Sequence, residues 1–253
     1  MRVAFVGKGG AGKSAIAGTF CRALARHGRP VLALDSDPMP GLAFSIGLGS
    51  SDDAIPDDAL EEKAQGEEGP RFRLRAGLSA HEAVDLYARQ APDGVRFLQF
   101  GKLRGHSANM MRAQIAFRQI VADLPEDRWD IVGDLPGGPR QAAFGWAPYA
   151  DTYLVVVEPT SKSLLSARRI ARVAAKMEGT HRVVAVANRV REAGDEERVR
   201  EATGLDVIGA VPWDEELAEA ERRSLAPIDH APGSKAVRAV ESLVDRLAGE
   251  TDG

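Results

Sequence analysis

The 253-residue sequence contains one cysteine, Cys21. That excludes an intramolecular disulfide, and it excludes a multi-thiolate zinc or iron–sulfur site from a single chain. A lone cysteine fits a reducing compartment, so a cytoplasmic location is expected. No run of 18 or more apolar residues occurs, and no transmembrane segment is expected. The N-terminus lacks the pattern of a secretory signal, because Met1–Val6 is too short and Lys8 with a glycine-rich stretch follows at once. A basic excess is also missing: 33 Lys and Arg stand against 37 Asp and Glu, a net charge of -4. Chains that bind nucleic acid usually carry the opposite balance, so composition gives no strong support for such a partner, although a local basic patch remains open.

What is present is an ordinary globular composition, 44% hydrophobic and 28% charged. The length suits one α/β domain over residues 1–253. Short apolar, β-branched runs predict strands over Arg2–Val6, Val31–Leu34, Val95–Phe100, Trp129–Gly133, Thr152–Val157, Val183–Ala187 and Val207–Ala210. Helical patterns lie between them, over Lys13–His27, Ala108–Leu124, Ser161–Met177 and Asp195–Thr203. A further amphipathic stretch, Ser234–Ala248, predicts a packed terminal helix. This βαβα alternation, with strands apolar on both faces, predicts a doubly wound, mostly parallel sheet flanked by helices. Residues 49–70 are dense in Asp, Glu, Gly and Pro and read as an exposed insertion, either a solvated loop or a partner-docking element.

Gly7-Lys8-Gly9-Gly10-Ala11-Gly12-Lys13-Ser14 fits G-x-x-x-x-G-K-S between a strand and a helix, the phosphate-binding P-loop pattern. Glycines let backbone N–H groups converge on phosphates, and the following helix adds its positive end. Gly9, Gly10, Ala11, Gly12, Lys13, Ser14 and Ala15 are therefore candidate nucleotide contacts. Lys13 is expected on the β- and γ-phosphates, and the Ser14 hydroxyl on Mg²⁺. ATP and Mg²⁺ are the expected cofactors, since no N-K-x-D guanine motif occurs.

Two acidic segments follow strands, where ligand sites gather in parallel sheets. In Asp35-Ser36-Asp37-Pro38 a carboxylate can orient an attacking water, approach Mg²⁺, for which Asp35 is a candidate, or merely cap a turn. Asp134-Leu135-Pro136-Gly137-Gly138 has the Walker B arrangement, with Asp134 a candidate for the Mg²⁺ shell and a Pro-Gly-Gly stretch able to shift. Gly133 before the Asp is unusual.

A second lysine inside the loop, Lys8 in K-G-G-x-G-K-S, is the deviant Walker A signature. The chain thus resembles the MinD/ParA group of P-loop ATPases, a resemblance that covers nearly its whole length. It implies an ATPase in which ATP draws two subunits face to face, Lys8 reaching across to the partner's nucleotide. It implies that Asp37 positions the water with Asp35 in support. It also implies that Asn188 hydrogen-bonds the adenine edge, with Arg189 beside it, and that Val211-Pro212-Trp213 border the base. An Asn amide suits a purine because it both donates and accepts, but Asn188 could equally cap the end of a strand.

Asp35-x-Asp37-Pro38, Val157-Glu158-Pro159-Thr160 and Val211-Pro212-Trp213-Asp214-Glu215 most resemble the CooC-type accessory ATPases, which help insert nickel into carbon monoxide dehydrogenase. Those carry a C-x-C pair at the dimer interface, where this chain has Gly101–Asn109 without cysteine. His106 is a poor substitute for the soft thiolates expected there. The resemblance implies an ATP-dependent homodimer acting on a protein client that the sequence does not name. A positioning or partition ATPase is the alternative, favoured by the basic helix face of Arg168, Arg169, Arg172 and Lys176 with Arg222 and Arg223, although such a face is usually only solvated. A nucleotide-sensing regulator is a third reading. Redox chemistry of the nitrogenase iron-protein kind does not fit, because one cysteine per subunit cannot make a four-thiolate bridge in a dimer.

Overall fold

The structure, a computed structural model, describes residues 1–37, 41–50, 55–64, 66, 68–99, 107–138, 145–176 and 181–251. Strand β1 (Arg2–Gly7) leads through the glycine-rich loop into α1 (Lys13–Arg26), then β2 (Val31–Asp35) and the short α2 (Leu42–Ser45). A hairpin follows, β3 (Leu60–Glu62) and β4 (Phe72–Leu74), then α3 (Ala80–Tyr87), β5 (Arg89–Gln90) and β6 (Arg96–Gln99). Next come α4 (Ser107–Ala122), β7 (Asp130–Asp134), β8 (Thr152–Val157), α5 (Ser161–Ala174) and β9 (Arg182–Val190). The chain continues with α6 (Asp195–Thr203), β10 (Val207–Pro212), α7 (Glu215–Arg222), α8 (Pro227–His230) and α9 (Lys235–Thr251).

Eight strands form one sheet in the order β10-β9-β8-β1-β7-β2-β6-β5. All neighbours are parallel except the edge pair β5–β6. The central strands alternate between two cores, which is why they are apolar throughout. Val3, Phe5, Ala33 and Val132 face α1, α2 and α9, where Phe20, Leu24, Leu42 and Leu243 complete one layer. Ala4, Leu32, Ile131 and Val155 face the opposite layer with Phe117, Ile120, Leu164 and Ile170. Cys21 lies in the first layer, fully buried, and burial pushes its thiol up. It is packing rather than a ligand.

The expected strands and helices are present, several extended by one to three residues. Three parts differ. Strand β3 lies inside the 49–70 stretch, and Ile55, Ala59 and Leu60 there are buried, so this insertion is partly built into the core. Its hairpin is held to α4 by side chains: Gln119 donates to the Phe72 carbonyl and accepts from the Leu74 N–H, and Arg112 donates to the Asp57 and Leu60 carbonyls. Helix α3 was not expected, although its start is a capping box in which Ser79 and Glu82 satisfy each other's backbone N–H. Strand β9 runs on to Val190 with an irregularity: Val211 pairs with Asn188, but Pro212 pairs with Val190, leaving Arg189 as the extra residue of a bulge.

Candidate phosphate and base site

The site lies at the C-terminal ends of β1, β7, β2 and β9. The loop after β1 closes on itself, with the Ala11 N–H donating to the Lys8 carbonyl at 3.2 Å. Gly10 and Gly12 have φ values of 80° and 85°, the left-handed region that a glycine enters without a Cβ clash. At Gly12 a Cβ would also fall 2.5 Å from the Asn188 amide nitrogen. Helix α1 begins with no side-chain cap, leaving its first N–H groups to whatever the loop encloses. Lys13 is buried at 7% exposure, an environment a cation tolerates only beside negative charge. Lys8 is half-buried at the rim, and its Nζ donates to the Gly9 carbonyl at 3.2 Å.

Ser14 and Asp134 meet beneath the loop, the Ser14 hydroxyl donating to the Asp134 carboxylate at 2.5 Å. The other oxygen of Asp134, Oδ1, is buried without a hydrogen-bond partner. Burial pushes this carboxyl up to about 6, against the opposing pull of Lys13 and the Ser14 hydroxyl, while Asp37 adds to the rise. A hydroxyl beside a carboxylate with a free oxygen suits Mg²⁺, which typically takes one or two carboxylates along with phosphate and water oxygens. Gly133 now has its reason: a Cβ there would lie 1.8 Å from the Tyr149 hydroxyl oxygen. The Pro-Gly-Gly stretch comes back over the loop, the Gly138 N–H donating to the Gly7 carbonyl at 3.0 Å.

Asp35 is fully buried, and both its oxygens accept backbone N–H groups, from Asp37 at 3.0 Å and from Leu42 at 3.1 Å. Burial, with Asp134 nearby, holds its carboxyl well above the ordinary range. It ties the end of β2 to the start of α2 and so sets the path of the segment that carries Asp37. Asp37 is half-buried at the edge of the same space. Pro38 lies outside the described residues, as do Gly101–His106 of the cysteine-free segment and residues 51–54, 65 and 67 of the insertion.

On the other side of the loop, Asn188 donates to the Ala11 carbonyl at 2.7 Å, and its amide oxygen is buried without a partner. A carbonyl can only accept, so this contact fixes the orientation of the amide. A cleft opens between Gly12, Ala15, Asn188, Pro212, Trp213 and Leu217. Val211 is buried beneath it. Arg189 has a φ of 57° and donates to the Gly10 carbonyl at 3.2 Å, to Glu158 at 2.5 Å and to Glu221 at 3.3 Å. Glu158 lies in one of the segments that carry the resemblance, but its contact with Arg189, and Glu221 altogether, are not signalled by the sequence motifs. A cavity of about 490 Å³ lies at the opposite end of the sheet, beside Arg2, Asp151, Arg182 and Glu250. It has no glycine-rich loop, so its size does not make it the site.

A parallel sheet of this order with a glycine-rich loop between β1 and α1 defines a P-loop NTPase fold. A family model for the CobQ/CobB/MinD/ParA nucleotide binding domain matches residues 3–228, and the chain belongs to that family. It is similar to an uncharacterised ATP-binding protein of Methanocaldococcus jannaschii, 28% identical over 98% of this chain and 97% of the relative. It is also similar to the carbon monoxide dehydrogenase accessory protein CooC of Rhodospirillum rubrum, 26% identical over 100% of this chain and 99% of the relative. Among solved structures, the septum site-determining protein MinD of Pyrococcus horikoshii, complexed with Mg-ADP, matches with a TM-score of 0.73 at 18% identity, over 97% and 94% of the two chains. Among the described residues no helix is long and apolar enough to cross a membrane, and no group of three or more His, Cys, Asp or Glu is arranged to hold a metal ion.

Proposed function

We propose that the chain is an ATP-hydrolysing dimerisation switch, an accessory ATPase with a protein client; the CooC relative is by its name an accessory protein of carbon monoxide dehydrogenase. One observation carries the nucleotide part of this reading. A buried Ser14–Asp134 pair lies under a glycine-rich loop, and the buried acceptor oxygens Asp134 Oδ1 and Asn188 Oδ1 have no partner. Buried polar atoms are rarely left unsatisfied, and these two flank the same glycine-rich loop, which supports a polar ligand there.

Each residue has a task in this reading. The loop N–H groups and Lys13 bind the phosphates, and Ser14 and Asp134 hold Mg²⁺, which when bound neutralises charge between the β- and γ-phosphates. Asp35 fixes the backbone so that Asp37 can orient the attacking water. One of the two N–H donors of the Asn188 amide is taken by the Ala11 carbonyl, and its buried amide oxygen is an unpaired acceptor for the base. An acceptor pairs with the exocyclic amine of adenine and repels the carbonyl of guanine, which favours ATP over GTP. Lys8 stands at the rim, resting on the loop's own Gly9 carbonyl, free to turn toward a second subunit.

Turnover and equilibrium binding test this directly. The wild-type chain should bind Mg²⁺-ATP more tightly than Mg²⁺-GTP and hydrolyse it slowly. Lys13→Ala should lose binding, and Asp37→Asn should keep ATP but not cleave it. Normal hydrolysis by Asp37→Asn would refute the water-orienting role.

The positioning or partition alternative rests on α5. That helix carries no acidic residue and exposes Lys162, Arg168, Arg169 and Arg172, with Lys176 just beyond it. Co-sedimentation with anionic vesicles or DNA, dependent on ATP at physiological salt, would favour this second reading; its absence would favour the first.

A further inference from the structure

We propose that Glu158 and Arg189 are positioning residues of the phosphate loop: the Glu158 carboxylate holds the Arg189 guanidinium against the Gly10 carbonyl and keeps that peptide turned toward β9. The inference rests on the nucleotide reading above and assigns Arg189 to the loop rather than to the base.

A loop that gathers N–H groups around an anion turns carbonyls outward, and a side chain that donates to such a carbonyl in place of water fixes the peptide's orientation. Here two consecutive carbonyls are supplied by two consecutive residues at the end of β9: Ala11 by Asn188 at 2.7 Å and Gly10 by Arg189 at 3.2 Å. In a regular strand neighbouring side chains point to opposite faces, so residues 188 and 189 could not both reach the loop. The bulge solves this. Arg189 is the extra residue between the Val211–Asn188 and Pro212–Val190 pairs, and its φ of 57° is a conformation that a residue with a Cβ seldom adopts. A disfavoured backbone held in place beside a ligand loop points to use.

Glu158 is the fixed end of the arrangement. It sits just past β8, its side chain is 15% exposed, and its own N–H is held by the Ser163 hydroxyl at 3.0 Å. Glu221 on α7 also meets Arg189, but at 3.3 Å and with 39% exposure it is the weaker anchor. Glu158 therefore decides where the guanidinium rests, and the guanidinium decides where the Gly10 peptide rests.

The test is calorimetric titration of ADP, Mg²⁺-ATP and GDP into the wild-type chain, Arg189→Ala, Glu158→Gln and the double variant. Losing one charge-assisted loop contact should weaken ADP and ATP alike by roughly tenfold. Glu158→Gln should show the same pattern in milder form. The ADP-to-GDP preference should stay within about twofold of wild type, because the base contact is untouched. The double variant should be no worse than Arg189→Ala alone, as expected of residues acting in series. Additive losses would overturn the relay. A changed base preference would make Arg189 a base contact, and a loss confined to ATP would make it a γ-phosphate contact. Unchanged binding in Glu158→Gln would remove Glu158 from the scheme even if Arg189→Ala fails to fold. A wild-type chain that binds none of the three nucleotides would instead refute the nucleotide reading itself.

Discussion

Asp134 sets the chemistry at the scale of single residues. Burial raises its carboxyl from 3.8 to about 6, so between those values the folded chain keeps a proton that the unfolded chain has released. Stability of the empty protein is therefore greatest below pH 4 as far as this group is concerned, and falls as pH rises through 6. Asp134→Asn should accordingly raise the melting temperature of the empty protein at pH 8 and leave it nearly unchanged at pH 4, measured by scanning calorimetry. A variant no more stable at pH 8 than the wild type would contradict this. Mg²⁺-dependent nucleotide binding should move the opposite way, weakening about tenfold per pH unit below 6 as the metal-binding carboxylate is protonated. The sequence motifs identify Lys13, Ser14 and Asp134 because a glycine-rich turn and an acid after an apolar strand announce their own geometry. Glu158 falls in a segment that carries the resemblance, but its pairing with Arg189 is not legible, since that partner lies 31 residues further on and only the adjacency of β8 and β9 brings them together.

The strands of the central sheet are readable because burial on both faces demands unbroken apolar runs such as Thr152–Val157. The β3–β4 hairpin is not, because Leu-Glu-Glu and Phe-Arg-Leu are three residues each and too short for any period. Its support comes from the amide of Gln119, on a helix some 45 residues away in sequence. Gln119→Ala should thus cost about 1–2 kcal/mol of stability and expose the hairpin to hydrogen exchange before the sheet. Strand β7 makes a sharper test. Gly133 looks out of place in an apolar strand until Tyr149 is seen packed against its Cα. Gly133→Ala should destabilise by roughly 1–3 kcal/mol through overpacking, and adding Tyr149→Phe should recover part of it. Only part is expected, since a Cβ would still meet the ring carbon at 3.0 Å. If Gly133→Ala proves as stable as the wild type in denaturant unfolding, the close packing of Tyr149 on β7 is wrong.

The whole molecule gathers the glycine-rich loop, the cleft beside Asn188 and Trp213, and the rim lysine Lys8 at one end of the sheet. Family membership accounts for the loop and the fold. What remains is whether nucleotide brings two copies together through Lys8. The most direct measurement is the solution mass of Asp37→Asn by light scattering, with Mg²⁺-ATP and with Mg²⁺-ADP, in the presence and absence of Lys8→Ala. The mass should double with ATP, stay single with ADP, and stay single with either nucleotide once Lys8 is replaced. A single-copy mass under all conditions, or a doubled mass indifferent to both the γ-phosphate and Lys8, would contradict the switch.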